Sequence, residues 1–165
     1  MKVYLSPSDQ ENYGVGTYGT EGDRMQELSN KVKPKLQALG HTVYGSDNSL
    51  SLADRVTASN NAGVDVHVAL HSNAGGGTGP EIWHYPGSVG GISLATSIIN
   101  EVAAVDGCPT SRGLKNTSGF YELSQTVAPA VILEVAFHDN TYDAAWIVSH
   151  MDDIAQAIAD GIDAY

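Results

Sequence analysis

D-V-H-V-A-L-H-S-N-A, residues 65–74, decides how this chain folds. Val64, Val66, Val68 and Leu70 alternate with Asp65, His67, Ala69 and His71. Period-two alternation rich in β-branched residues reads as a strand. The run stops at Ser72-Asn73, and Gly75-Gly76-Gly77 breaks any regular element. His71 is therefore expected at the carboxyl end of a core strand, the edge where open α/β sheets bind ligands. The two histidines cannot share one ion. On a strand rising ~3.3 Å per residue they lie about 13 Å apart, against Zn–N distances of about 2 Å. His71, at the strand's mouth, is the candidate ligand. His67, mid-strand, reads as a packed histidine with a local hydrogen bond.

Strands and helices alternate outward from this stretch. Residues 3–5 read as a first strand, followed by a long polar, glycine-rich loop over 6–22 of the kind that is usually functional when ordered. Met25, Leu28, Val32, Leu36 and Leu39 recur at helical spacing, and Gly40 supplies the stop. Pro34 costs about 3 kcal/mol inside a helix, which predicts a kink or break there. A second strand is expected over 41–44, and a helix over 50–61, capped by Asn48-Ser49, with Arg55 on its inner edge. Further elements are a weak strand over 81–85, an amphipathic helix over 93–105 and a loop over 107–119 with a short strand at Leu114-Lys115. A helical turn over 120–126 follows. A-V-I-L-E-V-A-F, residues 130–137, is apolar enough for a fully buried parallel strand. A single terminal helix is expected over 141–164. This order predicts one domain, 1–165, of the α/β class: a mainly parallel sheet flanked by helices on both faces.

At 165 residues the chain can bury a sizeable core. No apolar run approaches the ~20 residues of a membrane helix. Met1-Lys2-Val3-Tyr4-Leu5 enters a strand directly, with no basic-then-apolar leader. This predicts a chain that leaves its cell by another route, or whose leader has been removed. The single Cys108 excludes an internal disulfide and a cysteine metal cluster. Eight basic against 19 acidic residues, net −11, disfavour nucleic acid and anionic lipid as partners.

Glu134 is the most anomalous residue, one carboxylate inside the most apolar strand. Such a group is neutralised, paired or metal-associated. It is either a structural acid paired with Arg55 or Arg112, or a desolvated carboxyl suited to general acid/base work. Glu21 opens the first helix, where an acid is also favoured by the helix dipole alone. Gln10 and Asp9 lie in the loop after the first strand, and His84 and His138 are further candidates. H-E-x-x-H and G-x-S-x-G are both absent.

Several segments together resemble the amidase_3 class of zinc-dependent N-acetylmuramoyl-L-alanine amidases, and the resemblance covers nearly the whole chain. They are Gly19-Thr20-Glu21, L-A-D-R-V-T-A-S-N over 52–60, A-L-H-S-N-A over 69–74, Arg112-Gly113-Leu114-Lys115, and P-A-V-I-L-E-V-A-F-H-D-N over 129–140. The opening L-S-P-S-D-Q, residues 5–10, is similar to a branch found in endolysins and sporulation-type amidases. The resemblance implies one zinc ion held by Glu21, by His71 and by a third ligand that is a histidine in the family. The loop after strand one carries no histidine, so Gln10 is the expected substitute, with Asp9 next and His138 third. A Gln carbonyl oxygen is a weaker zinc donor than imidazole, which predicts looser metal binding. Glu134 matches the family's catalytic glutamate and would move the proton between water and leaving amine. Asn73, Arg112 and His138 are expected to contact substrate or support the site.

The implied partner is bacterial peptidoglycan, cut outside the cell by a monomeric catalytic domain of endolysin or autolysin type, to which a separate carboxyl-terminal wall-binding domain is often joined. A zinc peptidase or deacylase on the same fold, and a non-catalytic wall-binding module, are the alternatives.

Overall fold

A computed structural model describes all residues, 1–165. The elements in chain order are β1 (Lys2–Pro7), α1 (Glu21–Ala38), β2 (Thr42–Gly45), α2 (Leu52–Ala62), β3 (Val66–Asn73), β4 (Glu81–His84), α3 (Val89–Ala103), β5 (Gly113–Asn116), α4 (Tyr121–Gln125), β6 (Ala130–Phe137), α5 (Thr141–Ser149) and α6 (Met151–Asp163). The six strands form one sheet in the order β2-β1-β3-β6-β4-β5. All neighbours are parallel except β4 and β6, which run antiparallel.

Alternation along the central strands divides the sheet into two unlike faces. Val66, Val68 and Leu70 of β3 and Val131, Leu133 and Val135 of β6 point to one side. There they join Met25, Leu28, Val32 and Leu36 of α1, Leu94, Ile98 and Val102 of α3, and Ile154, Ile158 and Ile162 of α6 in the main core. The helices come close enough for Gly161 of α6 to lie directly over Ile98 of α3; a Cβ at Gly161 would stand 2.6 Å from the Ile98 Cα. The opposite face is mixed. Its apolar part is small, Ala69, Ala130 and Ile132 with Leu123 of α4, and Trp83 packs against it. Its other positions carry His67, His71, Glu134 and Glu81. α2 and α4 cover only part of this side, and the polar row is left at the end of the sheet.

Three local expectations are corrected. α1 is not broken at Pro34 but continues as one helix to Ala38; Pro34 and Asn30, whose carbonyl loses its partner, are both exposed to water. The cap of α2 is Ser51, whose Oγ accepts from the Asp54 N–H. Asn48 instead ties loops together, donating to the Ser8 carbonyl at 2.9 Å and the Gly22 carbonyl at 3.2 Å. The terminal helix is two helices, α5 and α6, divided at His150 with φ −113° and ψ 21°. Apolar spacing continues across that break, so periodicity does not reveal it.

Candidate active site

The site is built where three segments meet the polar face of the sheet. In the register of β3 and β6, His71 lies directly opposite Glu134; in that of β6 and β4, Glu134 lies opposite Glu81. Facing positions on adjacent strands bring side chains within about 5.5 Å. One row therefore places His71, Glu134 and Glu81 side by side. A register shift follows between His71 and Asn73, which pairs with Phe137. Such bulges re-aim side chains beside functional sites.

Glu21 comes from a different direction, the first turn of α1. Thr20 caps that helix by accepting from the Asp23 N–H at 3.2 Å. The preceding loop satisfies other free N–H groups of the first turn: Glu21 N donates to the Asn12 carbonyl at 2.9 Å and Gly22 N to the Gln10 carbonyl at 2.7 Å. Gly22 permits this approach, since a Cβ there would sit 3.1 Å from the Gln10 oxygen. The helix start and the loop thus present Glu21, Gln10 and Asn12 together to the sheet.

His71 Nδ1 donates to Glu21 Oε1 at 2.9 Å, and Gln10 Nε2 lies 3.5 Å from the same nitrogen. Asn12 Nδ2 donates to Gln10 Oε1 at 2.9 Å and approaches Glu21 Oε2 at 3.5 Å. Burial pushes the Glu21 carboxyl upward, but the hydrogen bond and charge of His71 outweigh it and hold it below the usual glutamate range. For His71, burial disfavours the charged form; Glu21 as acceptor, with the charges of Glu134 and Glu21, overcomes this and raises the imidazole.

Glu134 pairs with neither arginine considered from the sequence. Arg55 is 1% exposed and is used by the Asp9 carboxylate at 2.9 Å and the Pro7 carbonyl at 3.0 Å. Arg112 Nε donates to Glu81 Oε2 at 2.6 Å. Glu134 Oε2 is buried without a hydrogen-bond partner. Burial pushes its carboxyl up; the Glu21 and Glu81 carboxylates add to this against the opposing charge of His71, and the pKa is raised to about 7.

The sequence candidates therefore separate clearly. Gln10, Glu21, His71, Asn73, Glu134 and His138 border one cavity of 180 Å³, together with Asn12. A wider groove of 380 Å³ continues from Gln10, His71 and Glu134 past Leu52, Phe120 and Tyr121. Asn73 and Arg112 both serve Glu81: Asn73 Nδ2 donates to Oε1 at 2.9 Å, where Trp83 Nε1 also donates at 3.2 Å. Asp9 turns away to Arg55, and His84 bonds the Tyr85 carbonyl. His67 is a packed histidine, 0% exposed, between Ser59 Oγ and Glu122 Oε1, each at 3.0 Å, and stacked on Tyr4. Asn12, Glu81 and Glu122 are missed by sequence reasoning. For Glu81 a signal existed, an acid in the strand E-I-W-H; Asn12 has none among its polar loop neighbours.

A carboxylate, an imidazole and an amide side chain, from Glu21, His71 and Gln10, thus lie side by side. No group of three or more His, Cys, Asp or Glu side chains stands ready for a metal ion.

Comparison with known proteins places the chain in a family. A family model described as N-acetylmuramoyl-L-alanine amidase matches residues 7–164. The N-acetylmuramoyl-L-alanine amidase CwlM of Bacillus licheniformis is 38% identical over 121 residues, 71% of this chain and 47% of that protein. The sporulation-specific N-acetylmuramoyl-L-alanine amidase of Bacillus subtilis is 30% identical over 181 residues, 99% of this chain and 67% of that one. The chain thus spans about half of the first relative and two thirds of the second. Among solved structures, the amidase AmiC2 of Nostoc punctiforme superposes with a TM-score of 0.88 at 22% identity, over 98% of this chain and 94% of that one, a likeness of fold. Matched along nearly its whole length, the chain belongs to the Amidase_3 family of N-acetylmuramoyl-L-alanine amidases.

Proposed function

We propose that this chain hydrolyses the amide between N-acetylmuramic acid and L-alanine in bacterial peptidoglycan. In this reading one zinc ion is held by Glu21, His71 and Gln10, and Glu134 is the general base. The observation that carries it is the unpartnered, buried Glu134 Oε2 beside the Glu21–His71 pair. An apolar strand has no structural use for such a group, and its desolvation is costly. This also weighs against a non-catalytic wall-binding module.

The residues fit zinc by their chemistry. Carboxylate oxygen and imidazole nitrogen are ordinary zinc donors, and three protein ligands leave the open position a catalytic site needs. The amide of Gln10 makes this a weaker set than one with two histidines. When bound, zinc acidifies water and polarises an amide carbonyl. Glu134, raised to about 7, exchanges protons near neutral pH. It takes the proton of the attacking water and returns it to the departing amine. Glu81, fixed by Arg112, Asn73 and Trp83, adds the negative charge that helps keep Glu134 protonatable. Asn12 holds Gln10 and Glu21 in position, as outer partners do at metal sites.

The groove beyond Glu134, open at Leu52, Phe120 and Tyr121, supplies room for substrate on either side of the scissile bond. Attachment to a wall-binding module is part of the proposal. It is supported by Cwp6 from Clostridium difficile, which matches 99% of this chain over only 28% of its own length.

Purified cell wall incubated with the protein, with and without a zinc chelator, tests the reading. New amino-terminal alanine, abolished by chelator and restored by zinc, is expected. Cleavage only within the peptide cross-links would replace it by the peptidase reading.

A further inference from the structure

Behind the cleft runs a polar chain that the hydrolytic reading leaves unused. Tyr18 Oη donates to Ser72 Oγ at 2.6 Å, and Ser72 Oγ lies 2.8 Å from His138 Nδ1. Tyr18, Ser72 and His138 are all buried. The phenol ring leans on the imidazole at 5.6 Å between centroids. The His138 backbone is held from two sides: Val15 N donates to its carbonyl, and its own N–H donates to the Asn73 carbonyl, both at 2.9 Å. Gly14 makes the packing possible, since a Cβ there would strike the Tyr18 ring and the His138 carbonyl oxygen.

The direction of the chain follows from counting hydrogens. Burial pushes the Tyr18 phenol well above its usual range, so it stays O–H and donates to Ser72. A serine hydroxyl has one hydrogen. Its oxygen accepts from Tyr18, and buried Ser72 Oγ has no acceptor within reach other than His138 Nδ1, so its own hydrogen is satisfied only there. A neutral imidazole that accepts at Nδ1 carries its hydrogen on Nε2. His138 Nε2 has no protein partner, and the residue borders the cavity shared by Glu21, His71 and Glu134. His67, packed away from the cavity, differs in using both nitrogens, with Ser59 and Glu122.

We propose that His138 Nε2–H donates a hydrogen bond to the carbonyl oxygen of the scissile amide, with Ser72 and Tyr18 as positioning residues that fix its tautomer. The inference rests on the amidase reading and adds a catalytic residue to it. That oxygen gains negative charge as the carbon becomes tetrahedral, so a donor fixed beforehand acts most strongly in the transition state. His138 transfers no proton in this role; Glu134 carries the proton.

Kinetics on a soluble muramoyl-peptide with zinc-loaded protein test this. His138→Phe keeps a ring against Tyr18 and removes the donor; kcat should fall by about 10²–10³, the range for losing one such donor. KM and zinc content should change little, and His138→Gln, with an amide N–H near the Nε2 position, should recover part of the rate. An unchanged kcat, a loss confined to KM, or loss of zinc would each overturn the proposal, the last by making His138 a metal ligand. Nitrogen-15 NMR of metal-free protein gives a second readout that does not depend on how His138→Phe folds. His138 should be the Nε2–H tautomer in the wild type and a mixture in Ser72→Ala; Nδ1–H in the wild type overturns the assignment. A wild type that releases no amino-terminal alanine refutes the amidase reading, whereas a tautomer contrary to prediction refutes only the donor.

Discussion

Replacing Glu134 by glutamine should make the metal-free protein more stable at alkaline pH, and the size of the gain follows from the site. Burial, aided by Glu21 and Glu81, raises the carboxyl from an ordinary 4.5 to about 7. The native state therefore binds this proton more tightly than the unfolded chain. Between pH 4.5 and 7 the unfolded state holds fewer protons at this position, so stability falls as pH rises. Each pH unit of displacement is worth about 1.4 kcal/mol, so the whole displacement costs about 3 kcal/mol above pH 7. Glutamine is never ionised and avoids that cost. Urea unfolding of both proteins in chelator at pH 4.5 and pH 8 gives the comparison. The stability difference, variant minus wild type, should grow by about 3 kcal/mol between the two pH values, equivalent to about 6–12 °C in Tm at 2–4 °C per kcal/mol for a domain of this size. A difference that stays constant with pH would refute the account of Glu134 as a desolvated acid.

Other parts of the structure make their own predictions. Asn12→Ala removes the donor that orients Gln10 and should weaken zinc binding about 10–100-fold, read by chelator competition. Gly161→Ala drives a Cβ against the Ile98 backbone and should cost about 1–3 kcal/mol in urea unfolding, with the site unchanged. Glu122→Ala strips the buried acceptor from His67 and Ser6 and should cost about 3–5 kcal/mol near neutral pH. Burial pushes the Glu122 carboxyl up, but the His67 hydrogen bond and charge, with the Ser6 hydroxyl, outweigh it and hold it low. Its stabilisation is thus fully present above the ordinary glutamate value and is lost as pH falls through the lowered native one; an advantage of wild type over Glu122→Gln that persists undiminished in strong acid would contradict this.

The sheet and its helices were legible because burial writes a period into sequence. β3 shows an alternating run ending in His71 at its mouth, and β6 a continuous apolar one with Glu134 as its single polar intruder. His71 and Glu134 could be nominated separately, but only register shows that they face each other. The break at His150 was invisible because apolar spacing continues from α5 into α6. The antiparallel pairing of β4 left no trace either, since a four-residue strand reads alike in both directions. Around the site, that Asp9 is held by Arg55 while Gln10 borders the cavity has no sign in the sequence. The sequence points to Asn73 and Arg112 near the chemistry, but not to their shared bonds with Glu81. Long-range side-chain pairing of this kind has no local signature. Tyr18 and Ser72 were hidden for the same reason, being 54 residues apart in the chain.

Zinc-loaded wild type and zinc-loaded Glu134→Gln, matched for metal content and incubated with purified cell wall, put the central claim to its most direct test through the rate at which new amino-terminal alanine appears. The wild type should release it steadily, and the variant, with its metal in place, should lose nearly all of that rate. Release by Glu134→Gln at the wild-type rate would contradict the assignment of Glu134 as the residue that moves the proton.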